Sequence, residues 1–192
     1  MLKIHTLVLG MYQVNCYIVH NAGSDCCVVI DPGYYPEKIR AFLQENGLKL
    51  EAILLTHGHF DHVGGVKELA DDCKVYLHEL EHTMPPALTA GKLYATDSYP
   101  ESFEIAEMAF TTLHTPGHTP GSVCLIVEDA MFSGDTLFAG SCGRTDLPGG
   151  NWATIQASLR RLAELPGDYR VFPGHAEATT LSQERLYNPY LR

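Results

Sequence analysis

Three imidazoles and a carboxylate fall within six residues in Thr56-His57-Gly58-His59-Phe60-Asp61-His62. Held away from water, such a group is costly unless a cation sits among its members. Histidine nitrogens with carboxylate oxygens suit zinc, iron or manganese better than calcium or copper(I). A helix would present His57 and His59 on different sides, so Gly58 and the apolar run before it predict an irregular loop that converges them. Three more candidates stand in similar settings: His118 in Thr115-Pro116-Gly117-His118-Thr119-Pro120-Gly121, Asp135 in Ser133-Gly134-Asp135-Thr136, and His175 in Pro173-Gly174-His175. Each follows an apolar strand-like run and has a glycine beside it, the mark of a backbone bent to aim one side chain at the rim of a sheet.

The elements that must position these residues are legible from periodicity. Residues 3–9, 14–20 and 26–31 are β-rich runs separated by turn residues and predict an antiparallel meander. Pro36 at a first helical position, Ile39, Phe42 and Leu43 on one face, and Gly47 as the stop predict an amphipathic helix. A short strand is expected over 52–56, a helix over 64–72 and an extended piece over 74–78. Residues 79–100 have no clear period, and Pro85 and Pro86 break any helix there. Strands are expected over 103–114, 123–128, 130–133 and 170–172. A helix marked by Ile155, Leu159 and Leu162 is closed by Pro166 and Gly167. With no linker, repeat or low-complexity tract, residues 1–192 are expected to form one domain with strands in both halves and helices outside.

Composition narrows the function. The 192 residues are 45% hydrophobic and 19% charged, enough for a real core, and the formal charge is −10 from 13 basic and 23 acidic residues. That balance argues against a nucleic-acid footprint, which needs basic stripes, and points to a small-molecule substrate. Residues 1–10 hold one lysine and an apolar run interrupted by His5, a poor secretory signal and too short for a membrane span, so a cytoplasmic protein without membrane association is expected. Cys16, Cys26, Cys27, Cys73, Cys124 and Cys142 show no CxxC spacing and read as small buried hydrophobes, with Cys142 set apart by its Gly-rich loop. Oligomeric state leaves no mark in the sequence.

The set His-x-His-x-Asp-His, Thr-Pro-Gly-His, Gly-Asp and Pro-Gly-His resembles the metallo-β-lactamase superfamily, over a stretch from about Asn15 to the C-terminus. Within it, Leu137-Phe138-Ala139-Gly140-Ser141-Cys142-Gly143-Arg144-Thr145-Asp146-Leu147-Pro148-Gly149-Gly150 is similar to a loop of the short glyoxalase II-like hydrolases, as is the ending Asn188-Pro189-Tyr190-Leu191. The resemblance implies an α/β fold, a four-layer αββα sandwich with metals at one edge of its two sheets. It implies two divalent ions, zinc ahead of iron or manganese. His57, His59 and His118 would hold one, and Asp61, His62 and His175 the other. Asp135 would bridge them, and Asp31 in Val29-Ile30-Asp31-Pro32-Gly33 would orient the His-rich loop from behind. Arg144, with Cys142 and Gly143, would meet the substrate.

The implied reaction is hydrolysis of a thioester, S-lactoylglutathione or a related acyl thioester, by a hydroxide bridging the metals, with Asp61 and Asp135 as the catalytic carboxylates. A thiolate leaves readily because its thiol has a pKa of about 8.5, so a dedicated general acid is dispensable. Long glyoxalase II enzymes carry further basic contacts to glutathione in a C-terminal helical region, whereas this sequence ends soon after His175. Two alternatives stand beside this reading. A mononuclear iron persulfide dioxygenase would use two histidines and Asp135 and shares a Cys-Gly-Arg-Thr-Asp run like Cys142 to Asp146. A non-catalytic metal-holding module would bind without turnover. A β-lactamase role is not expected, because such enzymes are usually exported. His5, His20, His78, His82 and His114, with Tyr12, Asn15 and Tyr17, are expected to be structural.

Overall fold

The structure, a computed structural model, describes residues 1–70, 73–91, 93–95 and 97–191. The chain opens with β1 (Leu2–Leu9), β2 (Val14–Asn21), β3 (Cys26–Ile30), α1 (Pro36–Glu45), β4 (Lys49–Leu54), the short turns α2 (Phe60–Val63) and α3 (Val66–Leu69), and β5 (Lys74–Tyr76). A 3-10 turn at Glu79–Thr83 and α4 (Pro86–Thr89) lead into β6 (Ser102–Ile105), β7 (Met108–His114), β8 (Val123–Val127) and β9 (Ala130–Gly134). The small hairpin β10 (Leu137–Phe138) and β11 (Ser141–Cys142), then α5 (Trp152–Ala163), β12 (Arg170–Pro173), β13 (Thr179–Thr180) and α6 (Leu181–Tyr187) complete it.

Two sheets form, with strand orders β1-β2-β3-β4-β5 and β13-β12-β9-β8-β7-β6. Side chains alternate across each strand and so divide between layers. Tyr17, Val19, Val28, Ile30, Leu54, Phe110, Leu125 and Phe132 fill the space between the sheets. The intervening Cys16, Ile18, Val29 and Ile53 face outward onto Ile39 and Leu43 of α1 and Val66 and Leu69 of α3. On the second sheet, Cys124, Met131 and Val171 turn outward onto Ile155, Leu159 and Leu162 of α5. Both faces of both sheets are thus covered, which explains why β3 and β8 are apolar on every residue, and the result is the expected αββα sandwich. Among the described residues, no helix is long and apolar enough to cross a membrane.

Several expectations are corrected. The expected strand over 103–114 is the hairpin β6–β7, turned at Ala106 and Glu107, both with positive φ (49° and 59°). That is the two-residue hairpin geometry usually announced by Asn or Gly, and neither residue is present to signal it. The expected helix over 64–72 is replaced by α2 and α3, which break at Gly64 and Gly65 where the chain presses on the backbone of Pro32 and Gly33. Its last two residues, 71 and 72, lie outside the described residues. The loop expected through residue 62 ends early, because α2 takes up Asp61 and His62.

Direction explains where the site lies. β3 and β4 are parallel, β9 and β12 are parallel, and β7 runs antiparallel to β8, itself antiparallel to β9. The C-terminal ends of β3 and β4 in one sheet, and of β7, β9 and β12 in the other, therefore lie along a single edge of each sheet. Backbone bonds from Val123 N to Thr56 O (2.9 Å) and from Asn15 N to Gly174 O (2.8 Å) bring those edges together. Carboxyl ends of α/β strands are where such folds place ligands.

Candidate metal centre

At the end of β3 the chain turns sharply, with Asp31 at φ 51°. That turn aims its buried carboxylate at the loop after β4. Oδ1 accepts from Thr56 N (2.8 Å), and Oδ2 accepts from the Thr56 hydroxyl (2.6 Å) and from His62 Nδ1 (2.9 Å). Because the Thr56 hydroxyl spends its one proton on Asp31, it accepts from His57 Nδ1, 3.1 Å away. One carboxylate therefore fixes the tautomer of two imidazoles and leaves each Nε2 with a bare lone pair pointing inward. His57 Nε2 is buried and has no hydrogen-bond partner.

The other three loops deliver their side chains to the same place. His118 donates from Nδ1 to the carbonyl of Arg144 (2.8 Å), so its Nε2 faces inward, 2.9 Å from His59 Nδ1. His175 donates from Nδ1 to the carbonyl of Tyr12 (3.0 Å), leaving its Nε2 3.3 Å from His62 Nε2. Asp135 lies between: Oδ1 is 3.5 Å from His62 Nε2, and Oδ2 is 3.5 Å from His118 Nε2 and 3.6 Å from His175 Nε2. Asp61 Oδ2 is 3.4 Å from His175 Nε2 and 4.0 Å from His62 Nε2. Gly174 permits this convergence, since a Cβ there would sit 2.3 Å from Asp135 Oδ1 and 2.6 Å from His62 Cε1.

The chemistry of this donor set fits metal ions. Three groups have ligand atoms within 4.8 Å of one another: His57, His59 and His118; His57, His62 and Asp135; Asp61, His62 and His175. Burial holds His57 well below the usual imidazole range, and the neighbouring His62, His118 and His59 push the same way. Burial likewise presses His59 down to about 4. Both are neutral donors at neutral pH. Burial also opposes charge on His62, but the carboxylates of Asp135, Asp31 and Asp61 overcome it and raise that ring to about 9. The gap between the two facing nitrogens of His62 and His175 is thus a place that strongly favours positive charge, filled by a proton or by a metal. Asp135 Oδ1, buried and without a hydrogen bond, is another acceptor that a cation would satisfy.

All seven residues singled out as ligands are brought together, and Asp31 lies directly behind them. A cleft of about 500 Å³ opens over them, walled by Tyr12, Phe60, Leu88, Phe138, Cys142 and Arg144 among others. Arg144 lines the cleft, but its guanidinium is engaged by Asp146 through two bonds of 2.7 Å. Gly143 lies beneath, packed against the backbone of Asp135. Sequence reasoning undervalued Asn15 and Tyr17. Asn15 Nδ2 donates to Pro173 O (3.0 Å) and Ala176 O (2.9 Å), and the Tyr17 hydroxyl donates to Pro173 O (2.6 Å), pinning the loop that carries His175. The other five histidines stand apart from the centre: His5 stacks on His20 and His78 on His114.

The model of the metallo-beta-lactamase superfamily matches residues 9–175. The chain is 32% identical over 209 residues to hydroxyacylglutathione hydrolase GloC from Haemophilus influenzae, covering 99% of this chain and 98% of that one. The crystal structure of BLEG-1 B3 metallo-beta-lactamase superposes with a TM-score of 0.88 at 37% identity, covering 100% and 99% of the two chains. That of TTHA1623 in a di-iron-bound form superposes with a TM-score of 0.87 at 41% identity, covering 97% of this chain and 100% of the other. Fold, clustered donors and these likenesses agree, and the chain belongs to the metallo-beta-lactamase superfamily as a metal-dependent enzyme.

Proposed function

We propose that the chain is a binuclear thioester hydrolase acting on S-lactoylglutathione or a related small acyl thioester. The observation that carries this reading is the geometry of the donors: two ligand groups, His57, His59 and His118 on one side and Asp61, His62 and His175 on the other, with Asp135 offering oxygens to both. The likeness to the Haemophilus hydrolase supports the substrate, and the di-iron neighbour supports a two-metal centre. Nitrogen and carboxylate donors suit zinc, and also iron or manganese.

Two divalent ions, when bound, supply an acidified water and polarise the thioester carbonyl. The remaining work falls to the protein. Asp31, through Thr56 and His62, holds one imidazole of each group in the tautomer that presents a lone pair. Asp61, held ionised by His175 and His62 against its burial, is an anionic donor for the second ion at the cleft floor. Tyr12, Phe60, Leu88 and Phe138 exclude water from the acyl portion. The leaving thiolate, of pKa about 8.5 as the free thiol, departs without a dedicated acid.

Elemental analysis of purified protein, with steady-state assays on S-lactoylglutathione, other acyl thioesters and a β-lactam, tests the reading. Two metals per chain and thioester turnover are expected. His59→Ala and Asp135→Ala should each lower kcat/KM by roughly 1000-fold, about 4 kcal/mol of barrier at 1.36 kcal/mol per decade. Full activity in either variant, or one iron per chain with oxygen uptake on a persulfide, sinks it.

A further inference from the structure

Glu81 belongs to none of the motifs that mark the centre. It lies in the 3-10 turn at Glu79–Thr83, yet its side chain is wholly buried. Its two oxygens are both engaged by backbone. Oε2 accepts from Gly58 N at 2.6 Å, and Oε1 accepts from Gly121 N at 2.6 Å. Gly58 stands between His57 and His59, and Gly121 lies three residues past His118. Glu81 therefore ties the loop after β4 in one sheet to the loop after β7 in the other, at the points that carry His57, His59 and His118.

The fit is close enough to explain two glycines. A Cβ on Gly58 would lie 3.0 Å from Glu81 Oε2, and one on Gly121 would lie 2.8 Å from Oε1. Short bonds from backbone N–H to a carboxylate are the stronger kind, and a carboxylate alone offers an acceptor to each of two donors. Glutamine would turn an NH2 group toward one of them.

We propose that Glu81 is a positioning residue for the first ion: it sets the spacing of His57 and His59 against His118, and contributes nothing to the group of Asp61, His62 and His175. This rests on the binuclear reading above. The second group has its own supports in Asn15 and Tyr17, with Asp31 serving both, so the two groups are separable by experiment.

The test reads metal binding, not turnover. Zinc is titrated against a competing chelator in wild type and in Glu81→Gln, each also in His175→Ala and His59→Ala backgrounds. With only the first group left (His175→Ala), Glu81→Gln should weaken the remaining zinc by about 10- to 100-fold, the usual cost of losing an outer support. With only the second left (His59→Ala), the change should stay under about threefold, within the additivity expected of independent sites. Melting temperatures provide a second readout. A merely structural role lowers the apo and zinc-loaded forms equally, whereas a positioning role shrinks the gain from zinc. Should Glu81→Gln fail to fold, Glu81→Asp, which keeps the charge but cannot span both N–H groups, is carried through the same backgrounds. Equal effects in both backgrounds, or zinc binding unchanged, overturn the inference while a two-zinc wild type stands. A wild type holding fewer than two zinc ions overturns the binuclear reading and this inference together.

Discussion

The two halves of the centre are built differently. His57, His59 and His118 are buried, and burial keeps His57 and His59 neutral. Asp61 and His175 keep 14% and 26% of their side-chain surface exposed and include a carboxylate, while His59 and His118 border the cleft as well. His175 donates its outer hydrogen bond to the Tyr12 carbonyl, on the turn between β1 and β2 where the Tyr12 side chain is about half exposed. The first half is thus all imidazole, and the second includes a carboxylate and is more exposed. Exchange of metal and tolerance of mutation should follow that asymmetry, since electrostatic support inside the fold is stronger than support at its rim.

Asp31 is the exception that joins the halves, and its loss should have the largest effect. Its carboxylate serves His62 directly and His57 through Thr56. Asp31→Asn isolates that role, because asparagine tolerates the positive φ that Asp31 adopts. The variant turns a donor toward groups that are themselves donors. Both ions should weaken by about 10- to 100-fold, and chelator dialysis should leave fewer than one metal per chain where wild type keeps two. The two buried donors that faced Oδ2, left in conflict with the new NH2, should also cost about 3 kcal/mol of stability, read by urea denaturation of the apo protein. A variant that loses only one ion would show that the halves are not coupled through this residue.

The reach of sequence reasoning follows the same division. Each ligand is announced locally, by an apolar run before it and a glycine beside it, so the loops of His57, His118, Asp135 and His175 were legible without tertiary information. Helices outside strands were expected from the pattern and the four layers from the family resemblance, and the unbroken apolar runs of β3 and β8 agree with cover on both faces. Of the supports, Asp31 was marked by the family resemblance, and Asn15 and Glu81 were not. Asn15 acts on the Pro173 carbonyl 158 residues away, and Glu81 on backbone N–H groups 23 and 40 residues away. Backbone partners have no residue identity to recognise. Small elements escaped for a related reason: β10, β11 and β13 have two residues each, too few to display a period, and the turn at Ala106 and Glu107 uses residues that seldom adopt it.

Asn15→Ala sharpens the contrast from the other side. It removes the bonds to the Pro173 and Ala176 carbonyls, while the Tyr17 hydroxyl still holds Pro173. The second ion should weaken by about tenfold, the lower end for an outer support, and the first should be unchanged. Zinc titration in the same His59→Ala and His175→Ala backgrounds separates the two. Equal weakening of both ions would mean that the halves share more than Asp31.

The smallest effect is expected at Arg144, the residue that sequence reasoning favoured for substrate contact. Its side chain is 61% exposed and already bound by Asp146 through two of its three guanidinium nitrogens, so the cation presented to the cleft is largely neutralised. Exposed pairs of this kind contribute little and are screened by salt. What the residue gives the centre is its carbonyl, which fixes His118, and substitution by alanine leaves that carbonyl in place. Arg144→Ala should therefore raise KM for an anionic thioester by less than about threefold, with kcat and metal content unchanged. Asp146→Ala should act in the opposite direction, freeing the guanidinium and lowering KM for the anionic thioester but not for a neutral one. A large rise in KM in the first variant, with no change in the second, would show that Arg144 leaves Asp146 when substrate binds and meets the thiol portion directly.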